Sequence, residues 1–330
     1  MSGEFTYKGA GVDIEEAAAL VGDIGELRHQ TEAKRSLMQS FGLFAASYDL
    51  SDYTEPVIVT GCDGVGTKLE LLLEHDQLEI AGKDLVAMSV NDILTTGGDA
   101  LLFLDYVGVG RIDKTKIKRL IAGMVEYLAD CDCILAGGET AEMPGIVPDG
   151  MIELSGFCVG AAEKPDLINP SRIEVGDKLI GYPSDGFHAN GWSLIRKILA
   201  ANPGLIDDDE WEEFLAPTRL YHNVVARLRE KELDVRAMAH NTGGGLPENL
   251  ERLLGEKGAD ITIPRWELGA VGKVLSFVED AEAVKTFNMG WGWIVIVPAD
   301  QAAAAASIQD GARIIGEVDA SGTVKVEISN

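Results

Sequence analysis

The sequence predicts an α/β (α+β) protein of two domains, each a mixed sheet packed with helices. Three observations carry that prediction. Short β-branched runs alternate with helix-spaced runs, the alternation keeps no strict strand–helix–strand order, and it restarts after an interruption near the middle. A chain of 330 residues has room for two cores at roughly 150 residues each. The interruption is "AAEKPDLINPSRIEVGD", where Pro165, Pro170 and charged residues break the apolar pattern, so the domains are expected to span residues 1–165 and 166–330.

Taken in order, "EPVIVTGCDG" reads as a β-branched strand ending in a glycine turn, and "KDLVAMSVNDILTTGG" as a helix. "LLFLDYVGVG" is an apolar strand expected to end at Asp105. "KTKIKRLIAGMVEYLAD" sets Ile117, Leu120, Ile121, Met124 and Leu128 at helical spacing, and "CDCILAGGE" returns to a strand expected to stop at Gly137-Gly138. The second half repeats this grammar, with a strand in "DKLIGYP" and helices in "GWSLIRKILA" and "PTRLYHNVVARLREKE". The acidic run "DDDEWEE" reads as a solvated helix start, and "GARIIGEVDASGTVKVEI" as a hairpin turning at "DASG".

Composition excludes several classes. The 54 acidic residues against 28 basic ones leave a net charge of −26, a surface that repels nucleic acid and anionic membranes. The most apolar tract, "WIVIVPADQAAAAA", is cut by Pro298 and Asp300, short of the roughly 20 apolar residues of a membrane span. Cys62, Cys131, Cys133 and Cys158 lack the spacing of a zinc or redox motif and are expected to be buried small hydrophobes. The opening "MSGEFTYKGA" has no signal-peptide pattern, so the expected location is the cytoplasm.

"GCDGVGTK" has the glycine gap of a P-loop, but Thr67 precedes Lys68 where the motif needs Lys before the hydroxyl. On a helix that exchange turns each side chain by roughly 100°. What survives is Asp63 at a strand end, followed by glycines and a lysine, able to offer amides to phosphate and a carboxylate to a hard cation. Ser89 and Asp92 share a helix face, and a carboxylate on an otherwise apolar helix needs a partner. With Asp105 and Glu139, four acids beside turns point to a Mg²⁺–nucleotide site.

These segments together resemble aminoimidazole ribonucleotide synthetases, also called phosphoribosylformylglycinamidine cyclo-ligases. The resemblance runs through "YKGAGVD", "DGVGTK", "DLVAMSVND", "FLDY", "GGETAEMPG" and "GFCVG". It continues in "HANGWSLIRK", "APTRLY", "AHNTGGGLPEN" and "FNMGWG", in family order over nearly the whole chain. Same-fold relatives that need a reactive cysteine near either terminus fit less well, since the first cysteine is Cys62 and the chain ends "VEISN".

The resemblance implies ATP-dependent closure of the imidazole ring of formylglycinamidine ribonucleotide, with ATP and Mg²⁺ as cofactors. It also implies a homodimer whose N-terminal sheets form a barrel, and a C-terminal sheet covered by helices. Asp63 and Asp92 are then the metal ligands, and Gly64, Gly66, Thr67, Lys68, Asp105, Gly137, Gly138, Glu139 and Thr140 the ATP-binding residues. The substrate falls to Asp13, Ser184, His188, Asn190, Gly191, Thr242, Gly243 and Gly244. His188, Asp63 and Lys68 carry catalysis, with His188 as the proton carrier because imidazole titrates near neutral pH. Tyr7 and Lys8 belong to a motif lying over the site, and Trp291 and Trp293 to the core or a dimer contact. The family's glycine-rich stretch after the first helix is reduced here to Phe41-Gly42, leaving Lys34 or Arg35 to substitute at the phosphates.

Overall fold

A computed structural model of the chain describes residues 14–39, 42, 44–266 and 269–329. Tyr7, Lys8, Asp13 and Phe41 lie outside the described residues. The chain divides into two compact units, Met1–Ile93 with Gly98–Pro165, and Leu94–Gly97 with Asp166–Asn330.

The first unit is a four-stranded mixed sheet in the order β1-β4-β2-β3. Its strands are β1 (Pro56–Gly64), β2 (Asp99–Val109), β3 (Ile134–Glu142) and β4 (Ile152–Glu163), and its helices are α1 (Ile14–Arg28), α2 (Lys68–Glu74), α3 (Leu78–Thr95) and α4 (Lys114–Asp130). Only β2 and β3 run parallel. In α4 the predicted apolar face is the buried one: Ile117, Leu120, Ile121, Met124 and Leu128 all lie in the core, each contributing about 1.5–3 kcal/mol by leaving water. Asp113 starts this helix by accepting from the amides of Thr115 and Lys116. Asp132, in the left-handed region, ends it with Cys133 N–H donating to Leu128 O at 2.9 Å.

Two strand expectations change. β3 runs through Gly137-Gly138 to Glu142, paired with β2 on both sides of the glycines, and Asp105 sits in mid-strand rather than at a strand end. Cross-strand pairing supplies the order that glycine's own preferences withhold. The sheet is open, with no closed barrel, and its outward face carries exposed Ile58 and Phe157. Cys62 is also exposed, since alternation along β1 turns it outward, whereas Cys133 and Cys158 are buried as expected.

The second unit is a six-stranded mixed sheet ordered β10-β7-β9-β5-β8-β6. Its strands are β5 (Lys178–Pro183), β6 (Ala237–His240), β7 (Gly258–Pro264), β8 (Trp291–Val297), β9 (Arg313–Asp319) and β10 (Val324–Ser329). Its helices are α5 (Trp192–Ala201), α6 (Trp211–Phe214), α7 (His222–Glu230), α8 (Gly245–Leu254), α9 (Gly269–Leu275), α10 (Asp280–Thr286) and α11 (Ala302–Ala306). Every residue of β8 is buried, which explains its unbroken apolar run and puts Trp291 and Trp293 in the core. Among the described residues no helix is long and apolar enough to cross a membrane.

The expected C-terminal hairpin does not form. β9 and β10 both pair with β7, which lies between them, and the "DASG" turn wraps over Gly258, where a Cβ would strike Ser321, Thr323 and Asp319. A turn signal fixes where the chain reverses, not which strand fills the gap.

Candidate active site

One register row crosses the first sheet: Asp63 on β1, Gly156 on β4, Asp105 on β2 and Gly138 on β3. Directly paired residues point to the same face, here the face covered by α3. Ser89 Oγ lies 2.8 Å from where a Cβ on Gly156 would sit, and Asp92 Cβ lies 3.7 Å from the corresponding point on Gly61. Asp63, two residues beyond Gly61 and opposite Gly156, therefore faces α3 near Ser89, about one turn before Asp92. Both carboxylates are half-buried, and Asp63 Oδ1 accepts from the amide of Gly64 at 2.7 Å. Asp105 is two strand spacings away, roughly 10 Å, with its carboxylate turned over Gly138 on the side away from Asp63. Among the described residues no group of three or more His, Cys, Asp or Glu forms a metal cage; Mg²⁺ on phosphates needs only one or two carboxylates.

Beside this row lies a cavity of about 720 Å³ lined by Asp105, Gly137, Gly138, Glu139 and Thr140. Its apolar walls include Leu20 and Ile24 of α1, Leu104 and Leu135. Five of the predicted nucleotide residues thus share one pocket, of a size and mixed polarity suited to a nucleotide. Gly138 is required there because the Asp105 carboxylate fills the space of a Cβ. Burial raises the pKa of Asp105 to about 7, with the neighbouring Glu139 charge adding to it.

The "DGVGTK" turn divides. Gly66, in the left-handed region, and Thr67 are exposed at the start of α2, but Lys68 is fully buried with its Nζ 2.7 Å from Asp84 Oδ2 on α3. The expectation that Lys68 meets phosphate is corrected. It is the first residue of α2, and its stem turns inward with Leu69 and Leu72. Of the two basic residues expected to substitute at the phosphates, Lys34 pairs with Asp132 at 2.7 Å, and Arg35 donates to Ala100 O at 3.0 Å.

In the second unit two helices begin at left-handed glycines, α5 at Gly191 and α8 at Gly244. Asn190 Oδ1 lies 3.6 Å from the Cβ position of Gly243, so Asn190, Gly191, Thr242, Gly243 and Gly244 converge. The Asn249 side-chain amide shapes the glycine loop by donating to the carbonyls of Thr242, Gly243 and Gly245. Two helix N-termini brought together in this way can offer backbone amides to an anion. Ser184 Oγ donates to Asn288 Oδ1 at 3.1 Å.

His188 is placed differently from expectation. It is 1% exposed with a φ of 57°, and its Nε2 accepts from the amides of Asp185 and Arg219, each at 3.4 Å. Its carbonyl takes the Trp192 indole N–H at 2.7 Å, and its ring, with the Tyr221 hydroxyl, fills the Cβ space of Gly292. These contacts give the imidazole a part in positioning backbone. Sequence reasoning missed Asp84, Asn249 and Asn288. All three lie in or beside the quoted motifs, but a motif does not tell a side chain that touches ligand from one that holds the loop.

Fold and sites together define a two-domain α/β enzyme with a carboxylate-lined pocket in one unit and two glycine-capped helix starts in the other. The chain belongs to the AIR synthase related protein family, matching its N-terminal domain over residues 45–162 and its C-terminal domain over residues 174–329. A phosphoribosylformylglycinamidine cyclo-ligase of Picosynechococcus sp. is 41% identical over 310 residues, covering 90% of this chain and 91% of its own. One from Desulfitobacterium hafniense is 43% identical over 306 residues, covering 89% of each. In fold the chain is similar to thiamine-monophosphate kinase from Stenotrophomonas maltophilia (TM-score 0.68, 16% identity, 92% of this chain and 96% of that one). It is also similar to hydrogenase maturation protein HypE in complex with ATP (TM-score 0.69, 17% identity, 95% and 91%).

Proposed function

We infer that the chain catalyses the ATP-dependent cyclisation of formylglycinamidine ribonucleotide to 5-aminoimidazole ribonucleotide, releasing ADP and phosphate, in purine biosynthesis. The observation that carries this is the match to cyclo-ligases over about nine-tenths of both chains. The pocket holding Asp105, Gly138 and Glu139 supports a nucleotide in the N-terminal domain, and the paired helix starts at Gly191 and Gly244 support a ribose phosphate in the C-terminal one.

ATP phosphorylates the formyl oxygen, an amidine nitrogen attacks the same carbon, and phosphate departs in place of a poor oxygen leaving group. The protein's share is orientation and charge stabilisation. The all-oxygen donors Asp63 and Asp92 fit Mg²⁺ and would hold it, where it neutralises triphosphate charge. Asn190, Thr242 and the amides of Gly191, Gly243 and Gly244 hold the substrate. Asp13 keeps its proposed substrate role through the family motif alone.

Two copies pair through the outward sheet face bearing Ile58 and Phe157, and the enzyme works in the cytoplasm. The test is ADP release with and without formylglycinamidine ribonucleotide. Substrate-dependent release, with a raised Mg²⁺ requirement in Asp63→Asn and Asp92→Asn, is expected. Equal ATP hydrolysis in both conditions overturns the reading.

A further inference from the structure

Lys68 and Asp84 are both completely buried and face each other at 2.7 Å. Their neighbours in sequence, Leu69 and Leu85, and the nearby Val65 and Leu72 are all core residues. Burial drives the Lys68 ammonium below its usual pKa, while the adjacent Asp84 carboxylate raises it again. Such a pair is poor value for stability, because well-packed apolar residues of similar size are often as stable or more so, whereas removing one partner strands a charge. What an ion pair adds is a single permitted geometry between the elements it joins.

The pair joins α3, which carries Asp92, to the start of α2, which follows the strand carrying Asp63. Lys68 opens α2 directly after the Asp63–Thr67 turn, and Asp84 stands eight residues before Asp92 on α3, about 12 Å along the helix axis. The same helix touches the sheet at Gly61 through Asp92 and at Gly156 through Ser89. We infer that Lys68 and Asp84 are positioning residues whose buried pair fixes the Asp63 turn against α3, and so sets the distance between Asp63 and Asp92. This rests on the reading of those two aspartates as Mg²⁺ ligands.

The test is calorimetric titration of Mg²⁺ into the full-length chain with a non-hydrolysable ATP analogue, alongside thermal melting. The double variant Lys68→Met/Asp84→Leu is expected to melt near the wild-type temperature yet bind Mg²⁺–nucleotide at least tenfold more weakly. Lys68→Arg, which keeps the charge pair, is expected to retain most of the affinity. If the double variant does not fold, Asp84→Asn decides, with an expected loss of three- to tenfold. Wild-type affinity in either folded variant overturns the inference. Asp63→Asn and Asp92→Asn are titrated in parallel: if they bind Mg²⁺ normally, the metal-site reading fails instead, and the two failures are told apart.

Discussion

The Asp105 carboxylate occupies the space that a Cβ on Gly138 would need. The two are register partners on β2 and β3, in the wall of the nucleotide-sized cavity. Gly138→Ala must therefore push Asp105 out of its place or open the parallel pairing. The expected result is a loss of ATP affinity of about tenfold, worth ~1.4 kcal/mol, with the fold retained. Adding Asp105→Ala to the same chain makes room for the methyl group and is expected to restore melting temperature more than affinity. Calorimetry with an ATP analogue reads both, and a Gly138→Ala variant that binds like wild type removes this contact from the site.

Asp105 also gives the protein a pH dependence of unusual sign. Its carboxyl titrates at about 7 in the folded chain and at about 3.9 in an unfolded one. Between those values the folded state holds a proton that the unfolded state has lost, so stability falls as pH rises from about 4 to about 7 and levels off above. The full span is of the order of 4 kcal/mol. Asp105→Asn removes the ionisation. Its stability advantage over wild type is expected to be greatest at pH 8 and to shrink towards pH 5, as measured by denaturant melts. A gap that does not change with pH means that Asp105 is not held in its neutral form.

How far the sequence exposes this site depends on what each residue touches. The strand carrying Asp63, the buried face of α4 and the shared face of Ser89 and Asp92 follow from local periodicity, and so were legible. The course of β3 through Gly137-Gly138 was not, because the pairing with β2 that keeps those glycines extended comes from Leu104 and Asp105, 33 residues earlier in the chain. The same limit hid β7 from the turn between β9 and β10. Lys68 and His188 show a second limit: each lies in a motif, but only the packed structure says that the ammonium turns to Asp84 and the imidazole to two backbone amides.

His188 consequently predicts a stability defect before a chemical one. His188→Ala empties a core site and strands the amides of Asp185 and Arg219, at an expected cost of about 3 kcal/mol. His188→Gln keeps an acceptor of similar reach and is expected to recover much of that loss, with the pH profile of turnover unchanged. If the Gln variant folds as wild type but loses an ionisation near neutral pH from its rate profile, His188 carries protons after all.

Ile58 and Phe157 stand out as large apolar side chains on an outward sheet face, exposed by 54% and 44%. Alternation along β1 and β4 turns both outward, while Val57, Val59 and Cys158 turn to the other face, and Phe157 also borders the cavity walled by Leu20 and Ile24. In a chain with a net charge of −26, long-range repulsion opposes self-association, so contact between two copies must come from such apolar area. Phe157→Glu places a charge on that face and is expected to give monomers by sedimentation velocity at micromolar concentration, where the wild type is expected to sediment as a dimer. Raising the salt concentration screens the surface charge and is expected to tighten the wild-type dimer. A Phe157→Glu chain that remains dimeric moves the interface to another surface.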